Sequence, residues 1–254
     1  MSCADIPDWY LRHRLAILDL RSGTWERARP GLLPPGYEPH VCMRRLAAVG
    51  RLRRLRKGAY LVVDPVRETP LIAVASGLFA ETPHYVTTDA ALAFHSLVDQ
   101  PVATITVALG KRGRPISIGD VTVRPVALAH RWLEDADAYA TTIEGFSIRV
   151  ASREQAVVDA LAEPGWITHG TLLPEVLAVF SDAEITRTAE RARARSTAAA
   201  QRLGYLVEET GRDLPPALVS LRPIRAVRLR PGRGPSAPAR ATLDPCSTGA
   251  SWPT

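Results

Sequence analysis

Apolar positions predict three helices within the first 50 residues. Residues 8–20 place their large apolar side chains broadly on one helical side. A short second helix is predicted from Thr24 to the residue before Pro30, because proline disfavours the helical conformation in the residue that precedes it. A third helix is predicted over residues 38–49, with proline in its first turn and Gly50 at its C-terminal end.

Two strands are predicted directly after the third helix. Residues 51–55 alternate basic and apolar side chains, residues 59–63 are β-branched and aromatic, and Arg56-Lys57-Gly58 supplies a turn. Leu52 and Leu55 cannot both face the interior of a regular strand, so a bulge or an early turn is expected between them. Three helices followed by a β-hairpin is the order of a winged helix-turn-helix.

Helix and strand patterns alternate in the remainder of the chain, which predicts a mixed α/β domain. The last residues, 231–254, are rich in Pro, Gly, Ala and Ser and are predicted to be disordered. Helices are predicted over residues 70–81, 88–97, 152–163, 171–180 and 183–209, and strands over residues 84–87, 103–109, 121–126 and 146–151.

The predicted fold class is α+β with two domains. A winged helix-turn-helix is expected over residues 1–64, and a mixed α/β domain, whose helices cover a small sheet, over residues 65–213. A basic and largely flexible tail is expected over residues 214–254. No internal repeat is present in the sequence.

Charge divides along the same boundaries. Residues 1–64 carry 12 Arg and Lys against six Asp and Glu, whereas residues 65–213 carry 14 against 19. Residues 214–254 carry six against one, and the whole chain has a net charge of +6. A basic head and a basic tail around an acidic middle indicate a polyanion-binding surface at the head, with a second one at the tail as an open alternative.

Cysteine usage and hydropathy narrow the class of protein. The three cysteines stand far apart without a CxxC pair or a nearby histidine cluster, which predicts reduced thiols and no zinc site. No apolar run approaches the roughly 20 residues of a membrane span, and the N-terminus lacks the basic start and apolar stretch of a signal peptide. A cytoplasmic protein without metal or cofactor, and without a membrane partner, is expected.

The candidate DNA-binding residues lie on the third helix and the hairpin. Residues 44–63 contain seven basic side chains and no acidic one. Arginine can bind phosphate or read guanine through two hydrogen bonds. We expect base contacts from the helix and backbone contacts from the hairpin; the alternative is a solvated basic face that merely caps the second domain. The predicted DNA-binding residues are His40, Arg44, Arg45, Arg51, Arg53, Arg54, Arg56 and Lys57.

Several segments together resemble the AbiEi family of antitoxins from bacterial type IV toxin–antitoxin systems. The resemblance covers about residues 8–213, and its more particular parts are the stretch from Tyr85 to His95 and the helix with Asp159. The proline-rich entry to the third helix and the basic tail depart from the family. The segments are GRLRRLRKGAYLV, YVTTDAALAFHSLVDQP, VASREQAVVDALAEP and AAAQRLGYLVEETG.

The resemblance implies a function without catalysis. Members of the family repress their own operon by binding inverted repeats in its promoter through an N-terminal winged helix. They counteract a nucleotidyltransferase-like toxin, without a stable complex being required. The resemblance assigns operator contact to the basic residues of the head and adds no catalytic residue.

Other candidate sites have plainer interpretations. Lys111, Arg112 and Arg114 form a basic turn between strands, either a solvated hairpin or a second phosphate contact. His95 and Asp99 have a spacing that suits a metal or an acid–base pair, but no third ligand is near in sequence. Two further function classes stay open: an enzyme acting on nucleic acid, with the winged helix as targeting module, and a protein-interaction module that binds no DNA.

Overall fold

The computed structural model describes residues 4–20 and 38–221, which form two β-sheets surrounded by helices. The strands are β1 (Ile17–Asp19), β2 (Leu52–Arg56), β3 (Ala59–Val62), β4 (His84–Thr87), β5 (Thr104–Leu109), β6 (Ile116–Ile118), β7 (Val121–Ala127), β8 (Ala138–Ile143) and β9 (Phe146–Ala151). The α-helices within the described ranges are α1 (Asp5–Arg12), α2 (Pro39–Ala48), α3 (Leu71–Gly77), α4 (Asp89–Phe94), α5 (His130–Glu134), α6 (Arg153–Ala162), α7 (Leu173–Ala178), α8 (Asp182–Arg195), α9 (Thr197–Glu209) and α10 (Pro216–Val219), and a 3₁₀ turn spans Gly170–Leu172.

The two sheets differ in topology. The small sheet has the order β1-β3-β2 and is antiparallel throughout. The large sheet has the order β6-β7-β5-β4-β9-β8, in which β5 with β7 and β4 with β9 are parallel pairs and the other neighbours are antiparallel. The large sheet is therefore mixed, with an antiparallel strand at each edge.

The small sheet is shared between two hydrophobic cores. Successive side chains of a strand point to opposite faces. In β3, Tyr60 and Val62 belong to a small core with α1 and α2, whereas Ala59 and Leu61 belong to the large core of the second sheet. The head is thus fixed on the rest of the chain by one face of its own sheet.

Side chains of the small sheet also contact residues 77–79, which follow or end α3. Arg56 Nη2 donates to the carbonyl of Leu78 at 3.1 Å, and its guanidinium lies 5.5 Å from the ring centroid of Phe79. Gly77 lets Ile17 approach, because a Cβ at that position would lie 3.1 Å from Ile17 Cγ1. The orientation of the head relative to the large sheet follows from these contacts.

Several predicted elements are confirmed. The third predicted helix is α2, the hairpin is β2–β3, and the expected irregularity is a register shift between Arg54 and Arg56. Ser152 caps α6, accepting a hydrogen bond from the backbone N–H of Gln155 at 3.1 Å. The helix predicted from Thr24 lies outside the described residues.

The first predicted helix is wrong over its second half. Helix α1 ends at Arg12, Arg14 adopts a φ of 53°, and Ile17–Asp19 pair with β3. The apolar residues of this segment serve two cores on opposite sides, since Leu18 packs with α1 and α2 while Ile17 packs against the large core. A helix has one buried stripe, so tertiary pairing overrides the local pattern here.

The long helix predicted over residues 183–209 is also wrong. It is two helices, α8 and α9, which are separated at Ser196. Ser196 is extended, with φ −170° and ψ 149°, and its side chain caps α9 by accepting from Ala199 N–H. The alanine-rich sequence around Ser196 contains no glycine or proline that would predict a break in the helix. The preference of serine for the N-cap position was the only sequence signal for a boundary between α8 and α9.

Four short elements were not predicted, namely β6, β8, α5 and α10. Helix α10 lies within the stretch expected to be a flexible tail, yet Leu218 is 2% exposed and belongs to the large core. The rest of that predicted tail, from residue 222, is outside the described residues.

The prediction of reduced cysteines is wrong for Cys42. This residue is fully buried in α2 and is disulfide-bonded.

Candidate nucleic-acid interface

Helix α2 divides sharply into a buried and an exposed side. Cys42, Met43 and Leu46 face the small core. The opposite side carries His40, Arg44 and Arg45, all of which are exposed. Residues four apart on a helix lie above one another, so His40 and Arg44 form one row on the solvent side.

The hairpin adds three more exposed cations. Arg53, Arg54 and Lys57 are exposed on β2 and at its turn. Gly58 has a φ of +81°, which an L side chain rarely adopts, so glycine permits the tight turn that presents Lys57. Arg54 pairs with Tyr60 and points to the face on which α2 packs, whereas Arg53 pairs with Leu61 and points to the other face.

Two of the predicted DNA-binding residues form ion pairs within the protein. Arg51 forms an ion pair with Asp8 of α1. Arg56 pairs with Asp19 of β1 at 3.3 Å, in addition to its contacts with Leu78 and Phe79. Sequence spacing could not distinguish these two from their neighbours, because their acidic partners lie more than 30 residues away.

The six remaining side chains are together called the basic face, which comprises the exposed side of α2 and both faces of the hairpin: His40, Arg44, Arg45, Arg53, Arg54 and Lys57. Among the described residues, no hydrogen bond or ion pair engages any of these six side chains. Five carry a permanent positive charge at neutral pH. Because these charges are already exposed, no internal ion pair has to break before they meet a polyanion.

The basic turn of residues 111–114 lies at the edge of the large sheet that is nearest to β2. Lys111, Arg112 and Arg114 are exposed, and the strand that follows them, β6, packs beside β2. Gly113 lies so close to Pro125 that a Cβ would meet its ring at 2.7 Å, which holds the turn against β7. These three cations therefore add charge near the hairpin.

A groove separates the hairpin from the segment that joins the two parts of the chain. It has a volume of ≈ 560 Å³ and is lined by Arg53 and Arg67 together with Asp64 and Glu68. Two basic and two acidic side chains line it, so its charged groups favour neither an anion nor a cation.

Asp159 lies at the centre of a buried polar network between β4 and α6. Tyr85 Oη donates to Asp159 Oδ2 at 2.9 Å, Thr87 Oγ1 donates to the same oxygen at 2.8 Å, and Gln155 Nε2 donates to Oδ1 at 2.9 Å. Burial raises the pKa of Asp159, while these donors and the charge of Arg195 act against that rise. The network therefore ties β4 to α6.

A second network, which sequence reasoning missed, anchors the loop before the 3₁₀ turn. Asp89 accepts from the backbone N–H groups of Thr168 and His169 at 2.7 and 3.0 Å. Arg124 donates to the carbonyl oxygens of Gly165 and Trp166. Both side chains bond loop backbone far away in sequence, which no short motif could have signalled.

Neither network, nor the pair His95 and Asp99, forms a metal centre. His95 Nε2 lies 2.8 Å from the carbonyl oxygen of Ala151 in β9, so it links α4 to the sheet, and Asp99 is exposed. Over residues 4–20 and 38–221, no group of three or more His, Cys, Asp and Glu side chains is arranged to hold a metal ion. In the same ranges, no helix has the length and apolar character to cross a membrane.

Comparison with known proteins gives a shared fold. No family model and no curated protein matches this chain. The structure is similar to the crystal structure of the RV2827C protein from Mycobacterium tuberculosis, with a TM-score of 0.56 and 18% sequence identity over 88% of this chain and 82% of that chain. At this identity the similarity concerns architecture alone.

Proposed function

We propose that the chain binds double-stranded DNA through a winged helix made of α1, α2 and the small sheet. The observation that carries the proposal is the basic face, whose cations occupy the exposed side of α2 and the adjoining hairpin, without partners among the described residues. In the winged-helix arrangement, the recognition helix enters the major groove and the hairpin lies over the backbone.

The two parts of the basic face have different roles in this proposal. His40, Arg44 and Arg45 on α2 read base edges, because a helix fits the width of the major groove. Arg54 and Lys57 of the hairpin, with Arg53, contact phosphates and fix the register of the protein on the duplex. Arg51 and Arg56 support the head from within, through Asp8 and Asp19.

We further propose that the chain is an antitoxin that represses its own operon and counteracts a nucleotidyltransferase-like toxin. The support is the family resemblance, and one structural feature adds to it. Tyr85, Thr87 and Asp159 stand in two of the segments that carry the resemblance, and these residues meet in one hydrogen-bonded network. Residues that depend on one another in the fold have a physical reason to occur together in a sequence pattern.

The first experiment measures DNA binding by electrophoretic mobility shift. The probe is the duplex upstream of the chain's own reading frame, and a scrambled duplex of equal length is the competitor. We expect wild-type protein to prefer the upstream duplex, and Arg44→Ala/Arg45→Ala to lose that preference, because a good arginine–guanine pair contributes roughly 1–3 kcal/mol of discrimination.

A variant with the same loss of charge controls for electrostatics. Arg131→Ala/Arg193→Ala also removes two exposed arginines, one beside Trp132 and one on α8, and neither belongs to α1, α2 or the small sheet. It should keep the preference for the upstream duplex. Equal loss of preference in both double variants, or no binding by wild type at low salt, would refute the proposal and favour a protein-interaction module.

The antitoxin role is tested separately from repression. The partner used is the product of the gene next to this one, expressed from an inducible promoter in a host where it stops growth. We expect wild type and Arg44→Ala/Arg45→Ala to restore growth equally, while only wild type represses a reporter placed behind the upstream duplex. If neither protein restores growth, the antitoxin role is wrong while DNA binding stands.

A further inference from the structure

Strand β8 forms an edge of the large sheet that nothing in the described chain covers. The sheet ends with β9 and then β8, and β8 pairs with β9 in an unbroken register from Ala138 with Ala151 to Ile143 with Phe146. An edge strand presents unpaired backbone N–H and C=O groups to its surroundings. Such a strand is a template for pairing with another strand.

The outward backbone groups can be assigned from the hydrogen-bond pattern. The N–H of Ser152 donates to the carbonyl of Asp137 at 2.7 Å, and residues of an antiparallel pair alternate between bonded and non-bonded positions. The odd-numbered residues of β8 therefore bond β9. Ala140 and Thr142 direct their backbone groups away from it, and no described backbone group bonds them.

The usual protection of an exposed edge is missing from β8. Its sequence, Ala138–Ile143, contains no charged residue and no proline, and its pairing has no bulge. The opposite edge, β6, differs: it has three residues, packs beside β2 and follows the basic turn of residues 111–114. Within the described chain, only one edge of the large sheet is thus both long and unprotected.

Side chains along β8 make the strand complementary to itself. Tyr139, Thr141 and Ile143 share the face on which Phe146 and Ile148 are buried, yet Tyr139 remains 42% exposed. When two such strands run antiparallel about an axis through Thr141, Tyr139 stands opposite Ile143 of the second copy. Aromatic and β-branched side chains are a favourable cross-strand pair.

We propose that β8 is a dimerisation edge, at which two copies of this chain pair antiparallel about a two-fold axis and join their large sheets. In this register, Ala140 bonds Thr142 of the second copy through the outward backbone groups of both. The choice of a second copy as occupant rests partly on the proposed function, because inverted repeats require two heads related by a two-fold axis. The packing of each head on its own large sheet fixes the relation between the two.

The test is sedimentation of the full chain without DNA. We expect wild type to be a dimer, and Ala140→Glu/Thr142→Glu to dissociate roughly tenfold or more readily, since glutamates then face one another twice across the axis. The glutamate introduced at position 140 lies beside Arg149 of its own β9, so the monomer tolerates it. Ala140→Glu/Thr142→Lys places opposite charges in contact and should remain a dimer.

Cysteine crosslinking tests the register. Thr141→Cys meets its own counterpart at a non-bonded position, where the Cα distance of roughly 4.5 Å suits a disulfide. It should form a covalent dimer on oxidation, whereas Ser117→Cys on β6, and wild type with its natural cysteines, should not. A wild type that sediments as a monomer, equal dissociation of both charge variants, or equal crosslinking at residues 117 and 141 overturns the proposal.

The sedimentation and crosslinking results can be judged separately from DNA binding. If the dimer forms as described and no duplex is preferred, the proposed function fails while the edge assignment holds. If wild type binds a single half-site and is a monomer at every concentration, the proposed DNA binding holds while the dimerisation edge is wrong.

Discussion

Removal of one hydroxyl, in Tyr85→Phe, should destabilise the folded protein by an amount that depends on pH. The phenol of Tyr85 is 1% exposed and donates to Asp159 Oδ2 at 2.9 Å. The substitution keeps the ring and its packing and removes one of the three donors to a fully buried carboxyl group. A hydrogen bond to a charged group contributes about 1.5–3 kcal/mol, and one between neutral groups about 0.5–1.5 kcal/mol.

The pH dependence follows from the direction of the pKa shift. Burial raises the pKa of Asp159 above its unfolded value, so its contribution to stability is greatest below that unfolded value and is lost as pH rises through the folded pKa. Loss of the Tyr85 donor raises the folded pKa further, because the bond stabilises the charged form. The deficit of the variant in free energy of unfolding should therefore grow as the pH rises through the folded pKa of Asp159, from about 0.5–1.5 kcal/mol below that pKa to about 1.5–3 kcal/mol above it.

Urea unfolding followed by circular dichroism at a series of pH values measures this deficit. Tyr60→Phe is the matched control, because Tyr60 is 4% exposed and its hydroxyl makes no hydrogen bond to the described residues. The control should change stability by less than about 0.5 kcal/mol at every pH. A Tyr85→Phe deficit that is absent, or that shrinks as pH rises, would show that Asp159 is not held as described.

Three further predictions concern the turn of the hairpin, the start of α8 and a buried histidine of β4. Gly58→Ala should lower the free energy of unfolding by about 1–2 kcal/mol, because Gly58 has a φ of +81°; thermal unfolding measures it, and an unchanged midpoint would contradict the assigned turn. Ser181→Ala should cost about 1 kcal/mol by removing the capping box with Glu184 at the start of α8, whereas Ser117→Ala on β6 should have almost no effect. Burial lowers the pKa of His84 in the folded state below its unfolded value, so the free energy of unfolding should fall as the pH drops from the unfolded pKa through the folded pKa. His84→Gln, which keeps a side-chain donor and acceptor, should make the free energy of unfolding less dependent on pH in this range. An unchanged slope of stability against pH in the variant would contradict this role of His84.

Sequence patterns predicted the local elements well where one pattern had one structural role. Helix α2 and the hairpin follow from a proline at the helix start, glycines after the helix and in the turn, and the β-branched and aromatic run of β3. The irregularity at Leu55 followed from the clash between its position and that of Leu52. These features depend on neighbours within a few residues, which the sequence displays directly.

The failures occurred where residues distant in sequence decide the conformation. Residues 17–19 became a strand because β3 offered them a pairing partner and two cores to fill. Arg51 and Arg56 have the same local appearance as Arg53 and Arg54, and only Asp8 and Asp19 in space separate the two groups. The candidate surface thus became smaller and better defined once the fold was known.

The central claim, that the basic face binds the DNA backbone and reads its sequence, is tested most directly by a salt titration. Fluorescence anisotropy with the labelled upstream duplex gives the slope of log K against log salt concentration for wild type and for Arg53→Ala/Arg54→Ala/Lys57→Ala. Each phosphate contact contributes roughly 0.9 to the magnitude of that slope, so the triple variant should lose about 2.7. The preference for the upstream duplex over the scrambled one should remain, because α2 is intact. An unchanged slope in the triple variant, with wild-type affinity, would contradict the account.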